Sequence, residues 1–474
     1  MHRLAGMHIL FALALLLAPI TRFPGYFHLV APVKAALYLL VLVAWLACRA
    51  APWARTRSGI AVAGESGKDQ RAPWLRRIDV LFLAIVAWIC LTSLLSPAPL
   101  SQGAGVLLAH VTIFAFFYAF LDLVSRDARQ PWWLVRVLVV AAAAVGSLAI
   151  LQYVVMQFGV LRFLAELIIP QLDRDLLLGD DAQPLPAWGY RSWGTFHHPN
   201  LLGIFLALAL PIAAILPLVE KRRLVRGLAA LAALSILGGI FCSGSRGAWL
   251  NGTAGAGLML LVVAKQARRR IPKAWLLAPL VILPFLGLLF HDAIRQYFRL
   301  SSILSNRDII WQNTWTLVTE NPWFGTGPGT FSHAYLHRFG FPSEIERATA
   351  LRELASFGRI DLLDHWHAHN LLLHYAAEMG LLGALLVLLV FVVYFRELFS
   401  IHRHIRGDLG RHGLLVAGCS AAVAGNLVHG LTETTMSFSD PALGIPFVFV
   451  LAVGLGAMQQ LRARSGSGSG SGSG

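Results

Sequence analysis

The chain is built from apolar runs of about 20 residues, the length a helix needs to cross the hydrocarbon core of a bilayer. Lipid offers no partner to an exposed peptide group, so only helices and closed barrels span it. The runs lack the period-two alternation of barrel strands, which leaves helices. Composition agrees: 57% of the 474 residues are hydrophobic and 13% are charged, against about 25% charged in a soluble domain. The expected fold is an all-α integral membrane protein with about twelve transmembrane helices. These are expected near 8–21, 30–48, 78–95, 104–124, 133–158, 199–218, 227–242, 246–264, 274–290, 370–395, 413–431 and 441–460.

A net charge of +15 would suit a nucleic-acid binder. The basic residues instead sit in short clusters between apolar runs, the pattern that sets membrane topology. Clusters such as Arg76-Arg77, Lys221-Arg222-Arg223 and Arg268-Arg269-Arg270 fall on every second connection. Both termini are therefore expected in the cytoplasm. Cys48, Cys90, Cys242 and Cys419 lie in or at the ends of apolar runs without paired spacing, against a disulfide framework or zinc ribbon. No small-residue cleavage site follows the first apolar run, which reads as a retained helix.

Four parts are expected. Residues 1–290 hold nine spans and an external segment near 159–198. Residues 291–369 form an external loop domain, 370–464 the last three spans, and 465–474 a Ser-Gly expression tail. The loop domain carries seven basic and eight acidic residues, so it reads as a balanced, folded element. Arg307 to Thr319 and Glu344 to Ser356 look helical. The Gly-rich stretch 325–329 is not followed by the Lys-Ser/Thr of a phosphate loop and reads as a turn.

Three polar motifs sit where spans begin at the outer face. The first is Tyr190-Arg191-Ser192-Trp193-Gly194-Thr195-Phe196-His197-His198-Pro199-Asn200, with Pro199 suited to a first helical turn. The second is Ser243-Gly244-Ser245-Arg246-Gly247, where Ser243 or Ser245 can cap the following helix. The third is Asp364-His365-Trp366-His367-Ala368-His369-Asn370, after which Asn370, His374 and Glu378 form one polar stripe. Helix N-termini carry unpaired N–H donors and a partial positive charge. With Arg191 and Arg246 added, each able to fork two oxygens, the set suits a phosphate or diphosphate. The plainer alternatives are arginines that snorkel to lipid phosphates and, for Arg307, loop scaffolding. Asp180, Asp181 and the alternating histidines could otherwise hold a metal.

A histidine titrates near neutrality and can take a proton from a hydroxyl. Beside arginines holding a diphosphate, such a base supports displacement of that diphosphate by a hydroxyl, with inversion at the anomeric carbon. Nucleotide sugars are absent from the outer face, so the donor is expected on a membrane lipid diphosphate. A transporter would place charges near the bilayer midplane on broken helices, whereas here the polar residues gather at the outer boundary.

The order and spacing of Ser243-Gly244-Ser245-Arg246-Gly247, Asn321-Pro322-Trp323-Phe324-Gly325-Thr326-Gly327-Pro328-Gly329-Thr330-Phe331, and His369-Asn370 through Glu378, Gly380 and Gly383 resemble the O-antigen ligase/polymerase superfamily. Arg191 through Asn200 resembles the segment preceding those motifs. The resemblance implies a C-type glycosyltransferase-like membrane fold. It implies transfer of polysaccharide from undecaprenyl diphosphate to lipid A–core, as a ligase in lipopolysaccharide assembly at the periplasmic face of the bacterial inner membrane. No metal, cofactor or nucleic acid enters that reaction. The family's essential arginines correspond to Arg246, Arg191 and Arg307, and its histidine to His369, with His367 a rival. Glu433 is set against an acidic position of the family. Tyr190, Asn200, Ser243, Ser245 and Asn370 complete the candidate substrate-binding set. O-antigen polymerases and protein O-oligosaccharyltransferases share the donor chemistry and remain alternatives.

Overall fold

The computed structural model describes residues 2–20, 27–50, 73–126, 130–158, 191–196, 198–267, 307–340, 367–402, 410–434 and 440–467. The described residues are all-helical. In chain order the helices are α1 (His2–Leu17), α2 (Phe27–Ala50), α3 (Pro73–Leu95), α4 (Leu100–Arg126), α5 (Gln130–Phe158), α6 (Pro199–Val219), α7 (Arg223–Ser243) and α8 (Arg246–Ala267). They continue with α9 (Arg307–Glu320), α10 (Phe331–Phe339), α11 (Leu371–His402), α12 (Gly410–Gly430) and α13 (Pro441–Ser467). Eight of them, α3 to α7 and α11 to α13, are long and apolar enough to cross a membrane, while the apolar parts of α1 and α2 are shorter. The expected span over 274–290 and the helical stretch 344–356 lie outside the described residues, as do Tyr190, His365, Asp180 and Asp181.

The apolar sequences sort themselves by burial. In α13, 94% of the span is buried, against 22% in α7. A helix apolar on every side belongs inside a bundle, and α13 packs between α4 and α12. The outer helices turn Leu224, Leu228, Leu231 and Leu234 of α7, and Leu83 and Leu94 of α3, outward. Small residues let helices approach closely. Between α8 and α12, Gly247 faces the His429 ring and Gly425 faces the Asn251 side chain, so each glycine makes room for the other helix's polar group.

α11 is broken at Gly380, whose φ of 71° and ψ of 176° leave the helical region. A break frees backbone groups that must find other partners. The turn Asn321 to Thr330 supplies them. Thr326 N–H donates to Ala377 O (2.8 Å), Gly327 N–H to Glu378 O (2.9 Å), and Leu381 N–H to Pro322 O (2.9 Å). The Trp88 indole donates to Met379 O at 2.8 Å. Only glycine fits here: β-carbons at Gly380 and Gly325 would strike the Trp323 carbonyl and the Glu378 backbone. The Glu378 carboxylate accepts from Phe331 N–H at 3.1 Å and so caps α10. The 321–330 turn thus docks α9 and α10 onto α11, about two to three turns beyond His369.

Candidate active site

The segments around α6, α8, α9, α11 and α12 meet at one end of the bundle, where α6, α8 and α11 begin and α12 finishes. Pro199 takes the first position of α6, and His198 Nδ1 accepts from Asn200 N–H at 3.1 Å to cap it. Asn370 caps α11 by accepting from Leu373 N–H at 3.0 Å, and its amide donates to Leu431 O at 3.1 Å. That bond ties the start of α11 to the end of α12. There Thr432 N–H closes the chain onto His429 O at 2.8 Å and presents Glu433.

Glu433 is the centre of the cluster and is 1% exposed. Its Oε1 lies 2.8 Å from His369 Nδ1 and 3.3 Å from His367 Nδ1. Its Oε2 accepts from Asn200 Nδ2 at 2.6 Å and from Arg307 at 3.2 Å. Arg191 joins through Asn200, donating to Asn200 Oδ1 at 2.6 Å and to Ser243 O at 2.9 Å. Gly244 makes this approach possible: it is left-handed at φ 57°, the usual glycine stop after a helix, and a β-carbon there would sit 3.2 Å from Arg191 Cγ. The Trp311 indole donates to His369 O at 3.4 Å, fixing α9 beside the histidine.

Burial alone would raise the Glu433 pKa, but His369, His367 and Arg307 outweigh it and hold the carboxyl well below the usual carboxylate range. Glu433 is therefore an anion that only accepts hydrogen bonds, so the hydrogen between the two groups is carried by His369 Nδ1. Burial, with His369 adding to it, pushes His367 well below its ordinary value, so its ring is neutral near pH 7.

Six candidates therefore converge: Arg191, Asn200, Arg307, His367, His369 and Glu433. Ser243, Ser245 and Asn370 sit in the same shell with backbone tasks. Ser243 Oγ accepts from Ser245 N–H (3.2 Å), and Ser245 Oγ accepts from Ala248 N–H (3.4 Å) at the start of α8. Arg246 opens α8, half-buried, two residues after Gly244. Its neighbour Gly247 packs on His429 and Thr432, directly before Glu433. His429 and Trp311 were not singled out from sequence. The available signal was periodicity, since each lies four residues from a site residue: His429 before Glu433, Trp311 after Arg307. Of the polar stripe, His374 Nε2 sits 3.8 Å from Glu378, and both serve the α10–α11 junction.

Residues 230–388 match the sequence model of a family described as O-Antigen ligase. Comparison with curated proteins finds no match. The matched segment holds Arg246, Arg307, the 321–330 turn, His367 and His369, whereas Arg191, Asn200 and Glu433 lie outside it and are joined to it by the fold. Members of this family are glycosyltransferase-like enzymes that act on lipid-linked glycans. A helical membrane bundle thus carries an O-antigen ligase family segment over residues 230–388, and Arg307, His367 and His369 of that segment are gathered on one buried carboxylate.

Proposed function

We propose that the chain is an O-antigen ligase. It transfers polysaccharide from undecaprenyl diphosphate to a sugar hydroxyl of lipid A–core at the periplasmic face of the bacterial inner membrane. The observation that carries this reading is the Glu433 carboxylate, which orients His369 through Oε1 and gathers Asn200 and Arg307 on Oε2. A buried carboxylate that fixes an imidazole's tautomer leaves the opposite nitrogen as a general base. His369 Nε2 takes the proton of the acceptor hydroxyl as its oxygen attacks the anomeric carbon. The diphosphate leaves with the bond electrons, and the single displacement inverts the centre.

His367 suits this role less well. Its Nδ1 accepts from His369 N–H at 3.3 Å, which places its proton on Nε2. Arg191, Arg307 and Arg246 supply positive charge where the leaving diphosphate gains negative charge, an electrostatic contribution of the kind that dominates many transfers. No resident metal is needed for that stabilisation, so activity is expected to survive EDTA.

The test is transfer by the purified protein from lipid-linked polysaccharide to lipid A–core, read by gel mobility. Product on core supports the ligase. Elongated donor without core product would make the chain a polymerase. Product on a pilin-like acceptor would make it a protein O-oligosaccharyltransferase. Solute flux without any glycan transfer would make it a transporter.

A further inference from the structure

His367 and His369 both turn Nδ1 toward the same carboxylate oxygen, Glu433 Oε1, at 3.3 and 2.8 Å. The donor atoms of the three residues all lie within 4.8 Å of one another. The other oxygen, Oε2, is held from behind by Asn200 at 2.6 Å and Arg307 at 3.2 Å. Outer partners of this kind orient a metal-binding carboxylate. Two imidazoles and one carboxylate with an open fourth position form a zinc donor set. One oxygen is too few for magnesium or calcium, which take about six or more. Around a tetrahedral ion with bonds of about 2.0–2.2 Å, donors stand about 3.3–3.6 Å apart. The His367–Glu433 separation already meets that spacing; His369 needs to withdraw by about half an ångström, and His367 Nδ1 exchanges the His369 N–H it accepts for the ion.

We propose that His367, His369 and Glu433 form an inhibitory binding site for a zinc-class divalent cation. The inhibition rests on the reading above, in which His369 Nε2 is the base. A metal on Nδ1 moves the imidazole proton to Nε2 through solvent. The ring stays neutral and no net proton is released, but Nε2 no longer accepts one. The Arg307 charge on the far oxygen weakens the site, so affinity is expected in the micromolar range, below that of structural zinc.

Calorimetry of the full-length protein in lipid nanodiscs, titrated with zinc chloride and separately with magnesium chloride, tests the site. One zinc per chain and no saturable magnesium binding are expected. His367→Ala and, independently, Glu433→Gln should each weaken zinc at least about tenfold. No zinc binding, equal magnesium binding, or wild-type affinity in both variants overturns the site. In the transfer assay, activity should fall with zinc occupancy and return with EDTA. Full activity at full occupancy overturns the inhibition. Calorimetry needs no substrate, so a chain that binds one zinc yet never transfers glycan refutes the ligase reading and leaves the metal site standing.

Discussion

His369 is the one described residue other than glycine with a positive φ, 47°. Left-handed backbone costs a residue with a β-carbon about 1–2 kcal/mol relative to the right-handed form, and such strain persists only where neighbours over-determine it. Here Asn370, Trp311 and Glu433 do so. His369→Ala and His369→Gly should both abolish transfer, yet the glycine variant should be the more stable by about 1 kcal/mol. Thermal unfolding in detergent reads the difference, and equal stabilities would deny the strain. Arg246→Ala should likewise abolish transfer with the fold intact. Glu433→Gln keeps the shape but lets the imidazole adopt the wrong tautomer, so the rate should drop on the order of 10²–10⁴. Single-turnover sugar transfer measures it, and a wild-type rate would refute the role. Because the fold depresses the Glu433 pKa, the ionised group stabilises fully above its ordinary value of 4.5 and the contribution fades as pH falls below it. The stability gap between wild type and Glu433→Gln should be flat from pH 7 to about 5 and shrink at lower pH. The histidines and arginines were legible from sequence because charged groups at span ends are conspicuous. The capping tasks of Ser245 and Asn370 were only partly so, since a hydroxyl or amide can serve backbone or ligand equally well until its partner is placed.

At the scale of elements, the spans were legible because apolar length is a local property: α3 to α7 and α11 to α13 stand where spans are expected and are long and apolar enough to cross a membrane, while α1, α2 and α8 are helices at expected positions that fall short of that length and apolarity among the described residues. The break in α11 was not, because Gly380 sits in an otherwise apolar helical pattern and its partners, Pro322 to Gly327, lie more than fifty residues away in sequence. The 321–330 turn was legible as a turn, but its docking surface was not. Gly380→Ala should force the Trp323 carbonyl away and destabilise the protein by at least about 1 kcal/mol, measured as a lowered melting temperature. An unchanged melting temperature would mean that the turn does not hold the break. A second contact admits a cleaner test. An alanine at Gly247 would strike the His429 ring and shift Arg246 against Glu433. Gly247→Ala should impair transfer, and His429→Ala added to it should restore part of the loss. If the double variant is no better than the single one, the contact does not set the site's geometry.

For the whole molecule, the topology proposed from the basic clusters puts both termini in the cytoplasm and opens the site outward. Phosphatase fusions, active only when exported, should be silent after Arg464 and active when placed in the 341–366 segment; the reverse pattern would turn the site toward the cytoplasm and remove the ligase reading. Arg191 and Glu433 stand 242 positions apart in sequence, with α6, α7, α8, α9, α10, α11 and α12 between them. During synthesis on the ribosome, the arginine and its asparagine enter the membrane long before their carboxylate is made. If Glu433 orients His369 as proposed, transfer begins only once the last hairpin has inserted, and a product truncated before α12 is expected to be a membrane protein that carries the preceding motifs and transfers no glycan.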